Sequence, residues 1–104
     1  MDLVYDERVI QGFADAATEA VYYDEPTKAA RRLPKILWPL IRRKLDALHA
    51  VVSLDDLRVP PGNRLERLRG DQAGRYSIRV NDQYRITFRF DRGHAWEVRC
   101  EDYH

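Results

Sequence analysis

From residue 75 to residue 90 the side chains alternate in character. Tyr76, Ile78, Val80, Tyr84, Ile86, Phe88 and Phe90 fall on one parity, and Arg75, Ser77, Arg79, Arg85, Thr87 and Arg89 on the other. Successive residues of a strand point to opposite faces, so this period predicts strands with one apolar face and one face lined by guanidinium groups. Residues 64–69, 75–80, 84–90 and 96–101 read as four short strands, with hairpin turns over 70–74, 81–83 and 91–93, where glycine, asparagine and aspartate gather.

The N-terminal half follows a different period. A short strand is expected over residues 8–12, then an alanine-rich helix over 13–23 that Asp24, Glu25 and Pro26 interrupt, because proline disfavours helical geometry in the residue before it. A second helical region begins near Pro34, and Pro39 should kink or restart it. Beyond it Leu37, Leu40, Ile41, Leu45 and Leu48 follow i, i+3, i+4 spacing and form a stripe able to cover the apolar sheet face, with Arg42, Arg43 and Lys44 largely outside it. Ser53 caps a brief turn or helix reaching Leu57, and Val59, Pro60, Pro61, Gly62 and Asn63 form an extended loop. Helices first and an antiparallel meander after them predict an α+β fold, with N-terminal helices packed on a small, mostly antiparallel sheet whose other face stays open.

Composition narrows this picture. With 104 residues, 44% hydrophobic and 34% charged, the chain has apolar material for one compact core, and residues 1–104 are read as a single domain. The net charge of +1 hides a bias in type, since lysine occurs only at 28, 35 and 44 while arginine is abundant. Arginine's planar fork suits bidentate contact with phosphate and equally suits ion pairing with the acids of the chain. Cys100 shares parity with Trp96 and Val98 and is expected to be a buried small apolar residue. Asp2, Asp6 and Glu7 oppose a signal-peptide n-region, and no apolar run approaches the ~20 residues of a membrane span, so a cytoplasmic protein without membrane contact is expected. His49 and His94 lack the spacing of metal ligands, and no Gly-rich phosphate loop or nucleophile elbow occurs; neither metal nor cofactor is expected.

An arginine face ending beside Asp102, Tyr103 and His104 points to chemistry on phosphate. Four ordered blocks strengthen this: Asp55-Asp56-Leu57-Arg58-Val59-Pro60-Pro61-Gly62-Asn63-Arg64-Leu65, then Leu68-Arg69-Gly70-Asp71, then Ser77-Ile78-Arg79-Val80-Asn81-Asp82-Gln83-Tyr84-Arg85-Ile86-Thr87-Phe88, and the terminal Asp102-Tyr103-His104. Together they resemble the HigB group of the RelE/ParE toxin superfamily. The resemblance implies an mRNA endonuclease acting at the ribosome, a HigA-type helix-turn-helix antitoxin as inhibitor, and contact with operator DNA only through that antitoxin. Antitoxin contacts are expected on the helical side or the loop around Pro60, where exposed members of Val21, Tyr22, Trp38 and Val51 would be the place to look.

Metal-free cleavage of RNA needs a base for the 2'-hydroxyl proton, cations for the developing phosphoryl charge and an acid for the leaving 5'-oxygen. Arg85, on the polar parity of a central strand, is the candidate for the scissile phosphate, with Arg75, Arg79 and Arg89 as further RNA contacts. Asp102 and His104 match the family's terminal acid and histidine, either of which serves as base. Tyr103 is placed to stack on a nucleobase or orient the phosphate. Arg69 stands where the family usually carries lysine; it can neutralise phosphate but does not readily give up a proton. Glu66 occupies a position held by histidine in some members; it is an alternative base, although a surface carboxylate pairing with Arg64 or Arg67 is the more economical reading. Two other classes remain in view: a ParE-like toxin inhibiting gyrase, and a non-catalytic RNA- or ribosome-binding module with salt-sensitive affinity.

Overall fold

The computed structural model describes residues 9–103. Its elements are α1 (Ala16–Tyr22), α2 (Trp38–His49), β1 (Glu66–Arg67), β2 (Arg75–Arg79), β3 (Tyr84–Asp91) and β4 (His94–Asp102), with short 3-10 turns between them. The strands lie side by side in chain order, each antiparallel to the next, which is the meander that the alternation predicts.

Local chemistry sets the helix ends. The Asp15 carboxylate accepts the backbone N–H of Thr18 at 2.8 Å, capping α1 and starting it at Ala16 rather than at residue 13. Beyond Tyr23, Asp24 turns the chain with φ +56°. Pro39 falls in the first turn of α2, after 3-10 turns at Ala29–Arg32 and Lys35–Leu37, so it restarts the helix where its missing N–H has no partner to lose. The predicted stripe is buried: Ile41, Leu45 and Leu48 are wholly covered, with Leu37 and Leu40 packed at its margin. They join Ile78, Ile86, Phe88, Val98 and Cys100 from the sheet, and Val21, Leu33 and Leu57, in one core. Each such side chain stabilises the fold by roughly 1.5–3 kcal/mol, so this layer holds helices and sheet together.

Several expectations are corrected. The first strand shrinks to Glu66–Arg67, because Arg64 adopts left-handed geometry (φ +45°) and Arg69 already leads into the 3-10 turn Gly70–Gln72. The proline-rich loop is extended only at its start; Pro61–Asn63 closes as a 3-10 turn after a cis Val59–Pro60 bond. β4 opens at His94, ahead of the expected start at residue 96. Trp96 is 40% exposed while Val98 and Cys100 are buried, because an extra residue in β4 shifts the register between Thr87 and Arg89, with Glu97 at φ +53°. That bulge reverses the facing of every residue on one side of it. The strand expected over 8–12 has its first residue outside the described range. Residues 9–14 run parallel along the outer edge of β4, with single bridges from Ile10 to Ala95 and Phe13 to Val98. Four backbone hydrogen bonds of 2.7–3.1 Å join this segment to β4.

Candidate functional site

The sheet face turned away from the helices is open but not bare. Ser77 and Thr87 are 0% and 1% exposed, because longer neighbours on the same parity lie across them. Arg85 is the main cover over Ser77. Its Nε donates to Ser77 Oγ at 2.9 Å and its Nη2 to the Arg64 carbonyl at 2.6 Å, with a longer contact to the Ser77 carbonyl at 3.4 Å. Nη1 makes no hydrogen bond among the described residues; Glu66 Oε1 lies 3.9 Å from it. The guanidinium carbon stands 5.7 Å from the Tyr103 ring centroid, within cation–π range.

Arg85 is therefore fixed from behind and presents one edge to a cleft of about 380 Å³ lined by Arg64, Glu66, Arg79, Asn81, Asp82, Arg85 and Tyr103. The turn between β2 and β3 forms one wall. Asn81 Oδ1 accepts the N–H groups of Gln83 and Tyr84 at 2.9 and 2.7 Å, an Asx turn, and Arg79 pairs with Asp82 across it. Three guanidinium groups against two carboxylates leave the cleft cationic, and a planar cation with a free edge matches the oxygens of a phosphodiester.

The structure thus brings together Arg85, Arg79, Tyr103 and Glu66 from the residues singled out by sequence. Of the other described candidates, Arg69, Arg75, Arg89 and Asp102 do not line this cleft. Arg75 is engaged internally, through Glu97 Oε2 at 2.9 Å and Thr87 Oγ1 at 3.1 Å, in a second hollow with Arg99 and Glu101. Arg89 is exposed on the same face, opposite Arg75 and Trp96, and Arg69 is exposed ahead of the Gly70 turn; neither lines the cleft. Asp102 pairs with Tyr84 in the sheet register and so shares parity with Cys100 and the core, opposite to Arg85; Gln83 Nε2 donates to it at 2.9 Å. His104 lies outside the described residues.

Sequence reasoning passed over Arg64, Asn81 and Asp82 as site residues. Asn81 and Asp82 carry turn chemistry, which was readable, but only the folded turn shows that they form a wall. None of the four residues considered for a partner surface is exposed: Val21 and Val51 are buried and Tyr22 and Trp38 half-buried against the core, whereas Tyr23, Ile36, Val52 and Val59 are exposed. Cys100 is buried as expected, and burial pushes its thiol up to about 12. Among the described residues no three His, Cys, Asp or Glu side chains gather to hold a metal ion, and His49 Nδ1 accepts the Ile10 N–H at 3.3 Å. No described helix is long and apolar enough to cross a membrane.

Comparison with known proteins accords with this geometry. Residues 11–104 match a family described as the RelE-like toxin of type II toxin-antitoxin system HigB. The chain is 43% identical over 83 residues to Toxin HigB-1 of Vibrio cholerae, covering 80% of this chain and 85% of that one. It is 46% identical over 41 residues to a Proteus vulgaris protein named Endoribonuclease HigB, a match covering 39% of this chain and 45% of the relative. Among solved structures, the YoeB-YefM complex from Staphylococcus aureus superposes with a TM-score of 0.56 at 18% identity, over 91% of this chain and 97% of that one, a likeness of fold. The four sequence blocks, the meander under two helices and the arginine-floored cleft therefore have one common account: the chain belongs to the HigB family of RelE-like toxins, the toxin half of a type II toxin-antitoxin pair.

Proposed function

We propose that the protein is an endoribonuclease that cuts translated mRNA at the ribosome without a metal ion, and that the Arg85 cleft is where the phosphodiester is held. The observation that carries this reading is the Arg85 guanidinium, braced by Ser77 and Arg64, with Nη1 near Glu66 and the group set against the Tyr103 ring. The endonuclease name of the Proteus vulgaris relative supports it.

In this mechanism Arg85 and Arg79 grip the nonbridging phosphate oxygens, with Arg64 at the rim. A base removes the 2'-hydroxyl proton, the 2'-oxygen attacks phosphorus, the bond to the 5'-oxygen breaks, and an acid returns a proton to that oxygen. The products are a 2',3'-cyclic phosphate and a 5'-hydroxyl. Glu66 is the base favoured by position, since its half-exposed carboxylate lines the same cleft. His104 is the candidate acid, and Asp102, on the opposite parity, acts on that terminal group rather than on the phosphate. Tyr103 stacks on a nucleobase beside the cut. Arg69 and Arg89, exposed and without carboxylate partners among the described residues, contact flanking phosphates, while Arg75 reaches RNA only if it leaves Glu97. The partner is a HigA-type helix-turn-helix antitoxin, operator DNA is reached through it, and the pair works in the cytoplasm.

Primer extension on a translated message, with and without ribosomes and with EDTA present, tests this. Wild type should cut only with ribosomes. Arg85→Ala and Glu66→Gln should each lose about 100-fold or more in rate while keeping native circular dichroism. Cleavage that persists undiminished in Arg85→Ala and in a variant lacking His104 would reject the Arg85 cleft as the site, and no cleavage by the wild type would reject the nuclease reading; altered DNA supercoiling by the protein would turn it toward gyrase.

A further inference from the structure

The loop that supplies Arg85 with its carbonyl acceptor has little apolar substance of its own. Pro60, Pro61 and Gly62 are all exposed, and what anchors them is Asn63, only 1% exposed. The Asn63 amide is satisfied at both ends. Nδ2 donates to the carbonyls of Leu57 and Val59 at 3.1 and 3.4 Å, and Oδ1 accepts from Lys44 Nζ at 2.5 Å. Lys44 arrives from the middle of α2, between the buried Ile41 and Leu45. The next residue, Arg64, stands in the left-handed region (φ +45°, ψ +57°), and its carbonyl takes the Arg85 Nη2–H bond. Such geometry at a residue with a side chain is kept only where the surroundings hold it.

A continuous chain of contacts thus links helix α2 to the guanidinium across the sheet. The chain is an odd choice for stability alone. Partial burial next to Arg43 and Arg79 holds the Lys44 ammonium below its ordinary pKa, burial being the larger cause, so the charged form is kept there at some expense.

We propose that Lys44 and Asn63 are positioning residues for RNA cleavage: by fixing the Arg64 carbonyl they set the direction in which Arg85 presents its free edge. The inference rests on the proposed function, in which Arg85 meets the scissile phosphate. A guanidinium that loses its rear acceptor keeps its charge but gains rotational freedom, so the turnover step weakens while binding of the message hardly changes. A lysine that touched RNA itself would behave otherwise, raising KM and reducing the salt dependence of binding by about one phosphate contact.

A double-mutant cycle on the full chain, assayed on a translated message with purified ribosomes, separates these roles. Lys44→Met should lower kcat about tenfold with KM within about twofold, and Lys44→Arg, which keeps a donor for Asn63, should recover most of the loss. In the Arg85→Ala background Lys44→Met should cost nothing further. Should Lys44→Met fail to fold, Lys44→Gln takes its place in the cycle. Unchanged kcat, a loss confined to KM, or a loss that adds fully to that of Arg85→Ala overturns the proposal. Wild-type cleavage by Arg85→Ala overturns the Arg85 cleft as the site, and the positioning role with it, whereas no cleavage by the wild-type protein overturns the nuclease reading.

Discussion

Two of the three Arg85 nitrogens are committed to Ser77 and Arg64, and that division of labour explains why a buried cation is tolerated on an exposed sheet. Placement of Arg85 on the polar face was legible, since strand alternation alone puts it beside Ser77 and Thr87. Its bond to Arg64 was not, because a left-handed arginine after Gly62 and Asn63 leaves no periodic trace. Parity also separates Asp102 from Arg85, a distinction open to anyone counting along β4 from Cys100, whereas the terminal Asp-Tyr-His block read as one unit obscures it. Cys100 yields a prediction at the same scale. With its folded pKa raised to about 12, the thiol stays protonated at pH 8, so thiolate chemistry is suppressed in the native state and returns on unfolding, where the pKa is near 8.5. Ellman's reagent at pH 8 should therefore find no reactive thiol in the native protein and one per chain in guanidinium; ready labelling of folded protein would contradict this burial.

Among elements, α2 and the two central strands were the most legible, because each carries an uninterrupted period. α1 began later than alanine content suggested, since Phe13 and Ala14 are held along β4 by backbone pairing and Asp15 then caps the helix at Ala16. β4 misled for a physical reason: a bulge at Glu97 inserts one residue, and no side-chain pattern reveals which way Trp96 turns on the far side of it. The core made by α2 sets the scale of mutational cost. Leu45→Ala, at a wholly covered position, should destabilise the protein by about 2–5 kcal/mol in denaturant melts. Ile36→Ala, at a residue 88% exposed, should change stability by less than about 0.5 kcal/mol. Equal effects would mean that the α2 stripe does not form the main contact with the sheet.

At the scale of the molecule, a net charge of +1 conceals a division between the two sides of the sheet. The apolar side is spent on the core. The polar side is split between a self-neutralised network around Arg75, Glu97, Arg99 and Glu101 and a cleft around Arg85 where cations outnumber acids. Only local arrangement makes one of these a place for an anion, which is why total charge carried no information about the site. The segment 9–14 bears on behaviour in solution as well. Lying along β4, it occupies amide and carbonyl groups that an unguarded margin would offer to any extended peptide, including another copy of the same polypeptide. Deleting residues 1–14 should leave the Asp15 cap in place yet make the protein self-associate with rising concentration more than the full chain does, as sedimentation or light scattering would reveal; a truncated form that associates no more than the full chain would show that residues 9–14 guard nothing.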